Sequence, residues 1–557
     1  MASPVKVVFL GGLGEIGRNC AAIEVEDRIM LIDCGIMFPD SNMAGVDLVL
    51  PDFTYLRENA DRVIGVVATH GHEDHIGALG FLLSEMPLKI IGSALTLGLA
   101  KNRIEERGVA SQAEFVEVKD NERIKVGPFD LEFFPVTHSV PNGFATAFHT
   151  PQGVVLHSGD FKLDMTPVDG RLTDLAGLGH MARADGVRLF LCDSTNAEEA
   201  GHSVSETSIG ESLRSLFINH AERRIVVACF ASHIHRVQQI ADAAIAAGRT
   251  IATLGRSMNK NVRLAREMGL LQIPDSKLRK IEDVEDIPDE QLCIISTGSQ
   301  GEPMSALARM ATGDSKWLTI KNNDTVILSS HPIPGNESSV SQVIDGLLQR
   351  GAEVVHSGIA DVHATGHAKA DELKILHSIT QPEWFVPVHG EYRHMSAHAR
   401  IGEEMGIDAE KILVCRDGDS LILDDKGLRR DDPIPAEYIY VDGHVGDLDQ
   451  SVLTDRKILG QDGFVSVILT VSDEDGHAIL VEPPTVVSRG WVDGEEGEKL
   501  RAKASLEIAE AVSKSLEDGV TDHKEISRVA RRTLGRYINH TTRLRPMVVP
   551  VVVGVQE

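Results

Sequence analysis

Apolar positions along the chain fall into short runs broken by Gly and Asp. Val5 to Leu10, Ala21 to Val25, Ile29 to Ile32 and Val63 to Val67 are such Val/Ile/Leu-rich runs, which predicts strands joined by tight turns. Further strands are predicted at Lys89 to Ile91, Phe115 to Val118, Leu131 to Val136, Val154 to His157 and Leu189 to Cys192, with a helix from Ala78 to Glu85. Around Ser205 the rhythm changes. Helices are predicted at Thr207 to His220, Val237 to Ala247 and Val340 to Arg350, and strands at Ile225 to Phe230, Thr250 to Leu254, Gln291 to Ser296 and Thr325 to Ser329. This regular alternation is that of a parallel sheet in a second domain. After a polar, acidic stretch around Asp424 to Pro435 come Tyr438 to Val441, a strand near Phe464 to Val471, a helix from Glu498 to Leu516 and a closing run from Met547 to Val555. Mixed strands and helices throughout predict an α/β layer architecture.

A length of 557 residues exceeds what one hydrophobic core serves and suggests roughly three or four units. With 42% apolar and 25% charged residues and no run long enough to span a bilayer, the chain reads as an ordinary globular protein without a membrane partner. Its N-terminus runs straight into a β-like segment and lacks the features of a signal peptide, so a cytoplasmic location is expected. The six cysteines (Cys20, Cys34, Cys192, Cys229, Cys293, Cys415) stand singly and are expected to be buried thiols, none of them a zinc ligand.

A net charge of −28 argues, taken alone, against a polyanionic partner. Bound divalent metals, however, supply positive charge where a phosphate must sit. Basic residues concentrate at Lys524, Arg528, Arg531, Arg532, Arg536, Arg543 and Arg545, a stretch that reads as a solvated helix face or as an RNA contact.

The chemistry is concentrated where the strand Val63 to Thr69 ends in His70-Gly71-His72-Glu73-Asp74-His75-Ile76-Gly77. Three imidazoles with neighbouring carboxylates suit zinc or a similar divalent ion, and the absence of nearby cysteines favours a catalytic over a structural site. One loop cannot fill two metal shells. His138, Asp160 and His389 each follow a predicted strand and are the candidates to complete them. Asp160 is the choice for a bridging ligand, because a carboxylate can span two ions and a neutral imidazole offers one lone pair. A bound ion lowers the pKa of water to about 7, and a pair of them holds hydroxide and substrate together. Ligand chemistry alone permits esters, thioesters, lactams and phosphodiesters.

Beyond the cluster, the chain carries Gly11 to Asn19 (Gly-Gly-Leu-Gly-Glu-Ile-Gly-Arg-Asn), Asp193-Ser194-Thr195-Asn196, Phe230-Ala231-Ser232-His233, Gly255-Arg256-Ser257-Met258, Thr297 to Glu302, Ile333 to Glu337 and His363 to Ala368. With these motifs in order, the chain resembles bacterial ribonuclease J from about Val5 to Met547. The resemblance implies a metallo-β-lactamase αββα sandwich core (residues 1–205 and 361–435), an inserted β-CASP α/β domain (206–360), a linker (436–460) and a small C-terminal α/β domain (461–557). It implies two Zn²⁺ per subunit, with Mn²⁺ or Mg²⁺ as alternatives in activity. His70, His72 and His138 would hold one ion, Asp74, His75 and His389 the other, and Asp160 both. The loop His363, Ala364, Thr365, Gly366, His367 would grip RNA phosphate. Ser232 would belong to a pocket for a 5′-terminal monophosphate, and His367 would transfer a proton with Asp193 as partner. Asp74 is expected to serve catalysis as well as metal binding.

The implied activity is that of a ribonuclease of RNA maturation and mRNA decay, trimming single-stranded 5′-monophosphorylated RNA from the 5′ end, with endonuclease action besides. A homodimer or homotetramer and partners in an RNA-degradation complex follow from the same resemblance. Two positions depart from the family pattern: Thr365 where serine is common, and His233 where asparagine is common. His235 and His331 have no assigned role.

Other readings compete. Gly12-x-Gly14-x-x-Gly17, with Asp33 downstream, fits a dinucleotide-binding fingerprint, but no predicted helix opens there and a structural turn beside the metal site is expected instead. A small-molecule metallo-hydrolase, of thioesterase or lactonase type, explains the ligands but not the insertion. A non-catalytic RNA-binding scaffold leaves the complete ligand set without purpose.

Overall fold

The computed structural model describes residues 2–40, 43–302, 304–333, 336–443, 446–474 and 477–555, so Pro334 and Gly335 of the Ile333-to-Glu337 motif lie outside the described residues. The chain divides into two compact units, one of residues 1–38 and 48–439, the other of residues 39–47 and 440–557.

Two sheets form the heart of the first unit. An eight-stranded sheet runs in the order Gly427–Asp431, Ser420–Asp424, Val5–Gly11, Cys20–Val25, Arg28–Ile32, Val63–Val67, Leu88–Gly92, Ala113–Glu117. A six-stranded sheet runs Trp384–Val388, Val187–Asp193, Gly153–His157, Gly143–Thr150, Phe129–Val136, Arg123–Val126. Alternate residues of each point into a shared core: Val7, Ile23, Met30 and Val67 from the first sheet pack with Phe133, Phe148, Val155 and Leu191 from the second. On the outer face of the six-stranded sheet, Phe190 and Phe385 meet Leu178, Leu376 and Ile401 of the helices Leu175–Asp185, Ala370–Thr380 and Tyr392–Glu404. The helix Ala94–Glu106 contacts the strand Leu88–Gly92 of the other sheet. The result is the expected αββα sandwich.

Between Asp193 and the helix Ala370–Thr380 the chain builds a third sheet, ordered Leu278–Arg279, Thr250–Leu254, Leu292–Ser296, Arg224–Ala228, Asp324–Leu328, Glu353–His356. All its pairings are parallel, as the alternating pattern predicts. Such strands are buried on both faces and read as continuous apolar runs.

Within the second unit, the long strand Phe464–Glu474 pairs antiparallel with His477–Leu480 and Thr485–Arg489 and parallel with Met547–Val555. The helices Gly494–Glu517 and His523–Thr542 cover its Val465, Val467 and Leu469 through Ile508, Val512, Ile526 and Leu534. The strand Ile439–Asp442 lies within residues 436–460, and the helix Gln450–Gln461 begins there and ends one residue beyond. Lys524, Arg528, Arg531, Arg532 and Arg536 are exposed on His523–Thr542, while Arg543 and Arg545 are exposed beyond it.

Several elements depart from the predicted pattern. The strand Gly143–Thr150 and the helices Ala94–Glu106, Leu175–Asp185 and Arg256–Glu267 were not anticipated. The predicted helix at Ala78 to Glu85 is only Leu79–Leu83, preceded by the separate turn Glu73–Ile76. No helix among the described residues is long and apolar enough to cross a membrane. All six cysteines are buried and free.

Candidate active site

The candidate residues lie where strands of the two facing sheets end at one edge of the sandwich. His70 to His75 follow Val63–Val67, His138 follows Phe129–Val136, Asp160 follows Gly153–His157, Asp193 closes Val187–Asp193 and His389 follows Trp384–Val388. Ligand atoms of His70, His72, His138 and Asp160 lie within 4.8 Å of one another, as do those of Asp74, His75, Asp160 and His389. Asp160 Oδ2 is central, 3.1 Å from His75 Nε2 and 3.6 Å from both His70 Nε2 and His389 Nε2. Asp74 Oδ2 stands 3.4 Å from His389 Nε2.

Proton positions show that this donor set fits cations. His138 Nδ1 is 2.7 Å from Gly366 O, which can only accept, so its proton is on Nδ1 and Nε2 is bare. His75 Nδ1 donates to Asp33 Oδ2 at 2.7 Å. Thr195 Oγ1 gives its hydrogen to Asp193 Oδ1 and accepts from His389 Nδ1 at 2.5 Å. Thr69 Oγ1 gives its hydrogen to Asp33 Oδ2 and accepts from His70 Nδ1 at 3.1 Å. All four imidazoles aim Nε2 at the buried carboxylate of Asp160: bare lone pairs on neutral His70 and His138, and, on His75 and His389, whose pKa values the surrounding carboxylates raise despite burial, protons that a divalent ion would displace. The two bare lone pairs, on His70 and His138, also face the same His72 Nδ1 at 3.0 and 3.1 Å. One proton on His72 can serve only one of them; a divalent ion satisfies all three nitrogens and the carboxylate together.

Local backbone makes the convergence possible. Asp33 and His389 hold left-handed φ angles of 59° and 55°, conformations kept only where surroundings over-determine them. A Cβ at Gly35 would sit 1.6 Å from Asp74 O, so glycine is required where the two loops touch. A Cβ at Gly366 would lie 2.6 Å from His138 Cε1, so the same requirement brings the His363-to-His367 loop onto His138.

Beside the cluster, His367 Nδ1 meets Asp193 Oδ2 at 2.8 Å. Burial alone would lower the His367 pKa, but the carboxylates of Asp193, first, and of Asp160 and Asp74 together outweigh it and raise it to about 9. Burial of Asp193 opposes its ionisation, and the imidazolium of His367 holds its pKa below the ordinary value. Thr365 Oγ1 accepts from Asn196 Nδ2 at 2.7 Å and from the His367 N–H at 3.2 Å. With both lone pairs engaged, its hydrogen is left to donate. His363 is driven down to about 3 by burial and by the nearby Arg236 guanidinium, and is neutral. Ala364 is buried. Ser232 lies half-buried in the turn between Arg224–Ala228 and the helix Ile234–Ala246, outside the ligand cluster. His235 Nε2 pairs with Asp169 at 3.3 Å, His331 Nδ1 contacts Ser357 Oγ at 3.3 Å, and buried His233 stands 3.6 Å from Glu206.

Asp33 was not anticipated as a site residue, although it follows a predicted strand as the candidate ligands do. Nor were Thr69 and Thr195. The glycine-rich segment Gly11 to Gly17 does border the site: a cavity is lined by Gly12, Leu13, Asn19, Asp160, Asp193 and His389. The strand Cys20–Val25 follows it, and no helix opens there, which excludes the dinucleotide reading.

Four family models match in order: the metallo-beta-lactamase superfamily over residues 13–202, the ribonuclease J beta-CASP domain over 222–347, the Zn-dependent metallo-hydrolase RNA specificity domain over 352–411 and the ribonuclease J C-terminal domain over 451–555. Ribonuclease J of Mycolicibacterium smegmatis is 41% identical, with 99% of this chain and 97% of that protein covered. The chain belongs to the ribonuclease J family. Ribonuclease J of Thermus thermophilus is likewise 41% identical over 99% of this chain and 95% of its own, and ribonuclease J2 of Bacillus subtilis 34% identical over 99% of both. A crystal structure of a protein of unknown function from Enterococcus faecalis matches with a TM-score of 0.52 at 15% identity, covering 75% of this chain and all of that one, and shows the shared fold alone. Family membership and the His/Asp cluster together make this a divalent-metal site.

Proposed function

We propose that this metal-dependent ribonuclease trims single-stranded RNA from a 5′-monophosphorylated end, with internal cleavage as a second mode. The reading rests on one observation above all: the His363-to-His367 loop of the RNA specificity region is docked on the metal cluster through Gly366 O and His138 Nδ1. His70, His72 and His138 would hold one ion, Asp74, His75 and His389 the other, and Asp160 would contribute to both. When bound, the two ions, zinc in this reading, lower the pKa of water and neutralise charge on the phosphodiester.

Protein groups do the rest. The Thr365 hydroxyl and the backbone of Ala364 and Gly366 orient the phosphate. Ser232 belongs to the pocket for the terminal 5′-phosphate, and neutral His363 to the loop that grips RNA phosphate. His367, kept protonated by Asp193, delivers a proton to the leaving 3′ oxygen. A deeply buried cluster admits a single strand more readily than a duplex. The sandwich core at 1–205 and 361–435, the insertion at 206–360, the linker at 436–460 and the C-terminal domain at 461–557 are the proposed division of labour. Action in the cytoplasm as a homodimer or homotetramer, within a larger RNA-degrading assembly, completes the proposal.

Turnover of one RNA carrying either a 5′ monophosphate or a 5′ triphosphate tests it, with the label at the 5′ end and a His70→Ala/His72→Ala double variant as control. Release of labelled mononucleotide from the monophosphate form is expected. Internal fragments from both forms would move the weight to endonuclease action, and no cleavage of either would overturn the proposal.

A further inference from the structure

A second group of buried histidines sits beneath the site and takes no part in the chemistry described above. His398 Nδ1 lies 3.0 Å from Ser194 Oγ, and His398 Nε2 lies 3.1 Å from His377 Nε2. Both imidazoles are buried, in contact with Phe385, whose ring centroid is 4.6 Å from that of His377 and 4.7 Å from that of His398. Phe190 closes the other side of His377.

The order of protons in this chain follows from its one fixed end. Ser194 Oγ stands 3.1 Å from the Cys192 carbonyl, which can only accept, so the hydroxyl hydrogen points there. Ser194 Oγ must then accept from His398 Nδ1–H. Burial keeps both imidazoles neutral, with His377 lowered to about 4 and His398 well below its ordinary value. His398 accordingly has a bare Nε2 and accepts from His377 Nε2–H. His377 Nδ1 is left without a proton, and it has no hydrogen-bond partner among the described residues. A bare ring nitrogen is less costly to bury among aromatic rings than an unpaired N–H. Every donation runs one way, from His377 to His398 to Ser194 to the Cys192 carbonyl.

We propose that His398, oriented by His377, is a positioning residue that locks Ser194 and, through it, the loop holding His389 against the metals. Ser194 lies between Asp193, the partner of His367, and Thr195, the partner of His389 Nδ1. Its own N–H donates to the His389 carbonyl at 3.2 Å. His389 is the ligand with a left-handed φ of 55°, a conformation that depends on such external restraint. The inference rests on the reading of His389 as a ligand, and its consequence is measurable in metal retention as well as in turnover.

The full-length zinc-loaded protein is titrated with a chelator in the wild type and in the His398→Leu, His398→Asn, His377→Leu and His389→Ala variants. Partners behind metal ligands change affinity by roughly 10–100-fold. His398→Leu is expected to lose about tenfold in retention of the weaker ion, at the low end of that range because it acts through Ser194. His398→Asn, whose amide N–H can replace Nδ1–H, is expected to recover most of that loss. His377→Leu should have the smaller effect. Independently, ¹⁵N-histidine spectra of the wild type should show His398 protonated on Nδ1 and His377 on Nε2, which a merely space-filling role would not require. If His398→Leu fails to fold, the tautomers and His377→Leu carry the test, and Nε2-protonated His398 overturns the inference. Loss of metal in His389→Ala with wild-type retention in His398→Leu would overturn the positioning role alone. Full retention in His389→Ala would overturn the ligand reading beneath it.

Discussion

Two buried histidine groups in this protein show nearly the same nitrogen-to-nitrogen distance and opposite chemistry. In the His70/His72/His138 group, contacts of 3.0 and 3.1 Å bring two bare lone pairs onto one His72 nitrogen, with the Asp160 carboxylate 3.6 Å from His70 and 3.9 Å from His138. In the His377/His398 group, a contact of 3.1 Å holds one proton between two nitrogens, with aromatic rings around it. Clustering of imidazoles therefore does not define a metal site. What decides is where the neighbours place the Nδ1 protons and whether a carboxylate stands at the focus.

The largest effect should come from removing that focus. Asp160→Ala, like Asp74→Ala or His75→Ala, is expected to reduce RNA cleavage to background while circular dichroism stays that of the wild type; cleavage by the metal-free variant would break the comparison. Next comes proton delivery. His367→Ala should slow the chemical step by about 10²–10⁴-fold, a larger effect than its loss of RNA affinity, as single-turnover rates and binding would show. The sign of its pH dependence is fixed: Asp193 raises the pKa of His367, so the proton is present below about 9 and is lost as pH rises through it. Asp193→Asn should move this alkaline limb to lower pH, and an unmoved limb would remove His367 from the role.

Smaller again is the change expected one step behind a ligand. Asp33→Asn loses the charged acceptor of His75 Nδ1 and should weaken metal binding by about 10–100-fold, read by chelator competition.

The smallest effect sharpens the other side of the comparison. His377 has a folded pKa of about 4 against an ordinary 6.5, so the unfolded chain binds more protons between those values and stability falls as pH drops through that window. His377→Phe should flatten this part of the stability curve by at most about 3 kcal/mol, judged from denaturant midpoints at pH 4 and pH 7.

Much of this was legible in the sequence. The Val63-to-Val67 strand, the ligand-rich loop after it and the positions of His138, Asp160 and His389 just past strands were all readable, because buried strands give continuous apolar runs and ligands cluster at their ends. The strand Gly143–Thr150 was not, since its Ala and Thr residues are weakly apolar and Asn142-Gly143 reads as a turn. The basic helix His523–Thr542 was visible only as a charge run, its apolar stripe of Ile526, Ala530, Leu534 and Ile538 masked by the arginines between. Asp33 and Thr195 escaped as site residues because they act on His75 and His389, which follow the neighbouring strands of the same sheets, and strand order within a sheet cannot be read from one chain position. His377 and His398 are 21 residues apart on two helices, and only packing of both on Phe385 brings them together.

In the proposed mechanism, cleavage needs two ions shared through Asp160. The most direct test strips the purified protein of metal and restores zinc in measured equivalents while cleavage of 5′-monophosphorylated RNA is followed. Activity should be absent at zero equivalents, approach its full value at two per chain, and never appear in Asp160→Ala. Cleavage by the metal-free enzyme, or full activity with a single equivalent, would contradict the claim.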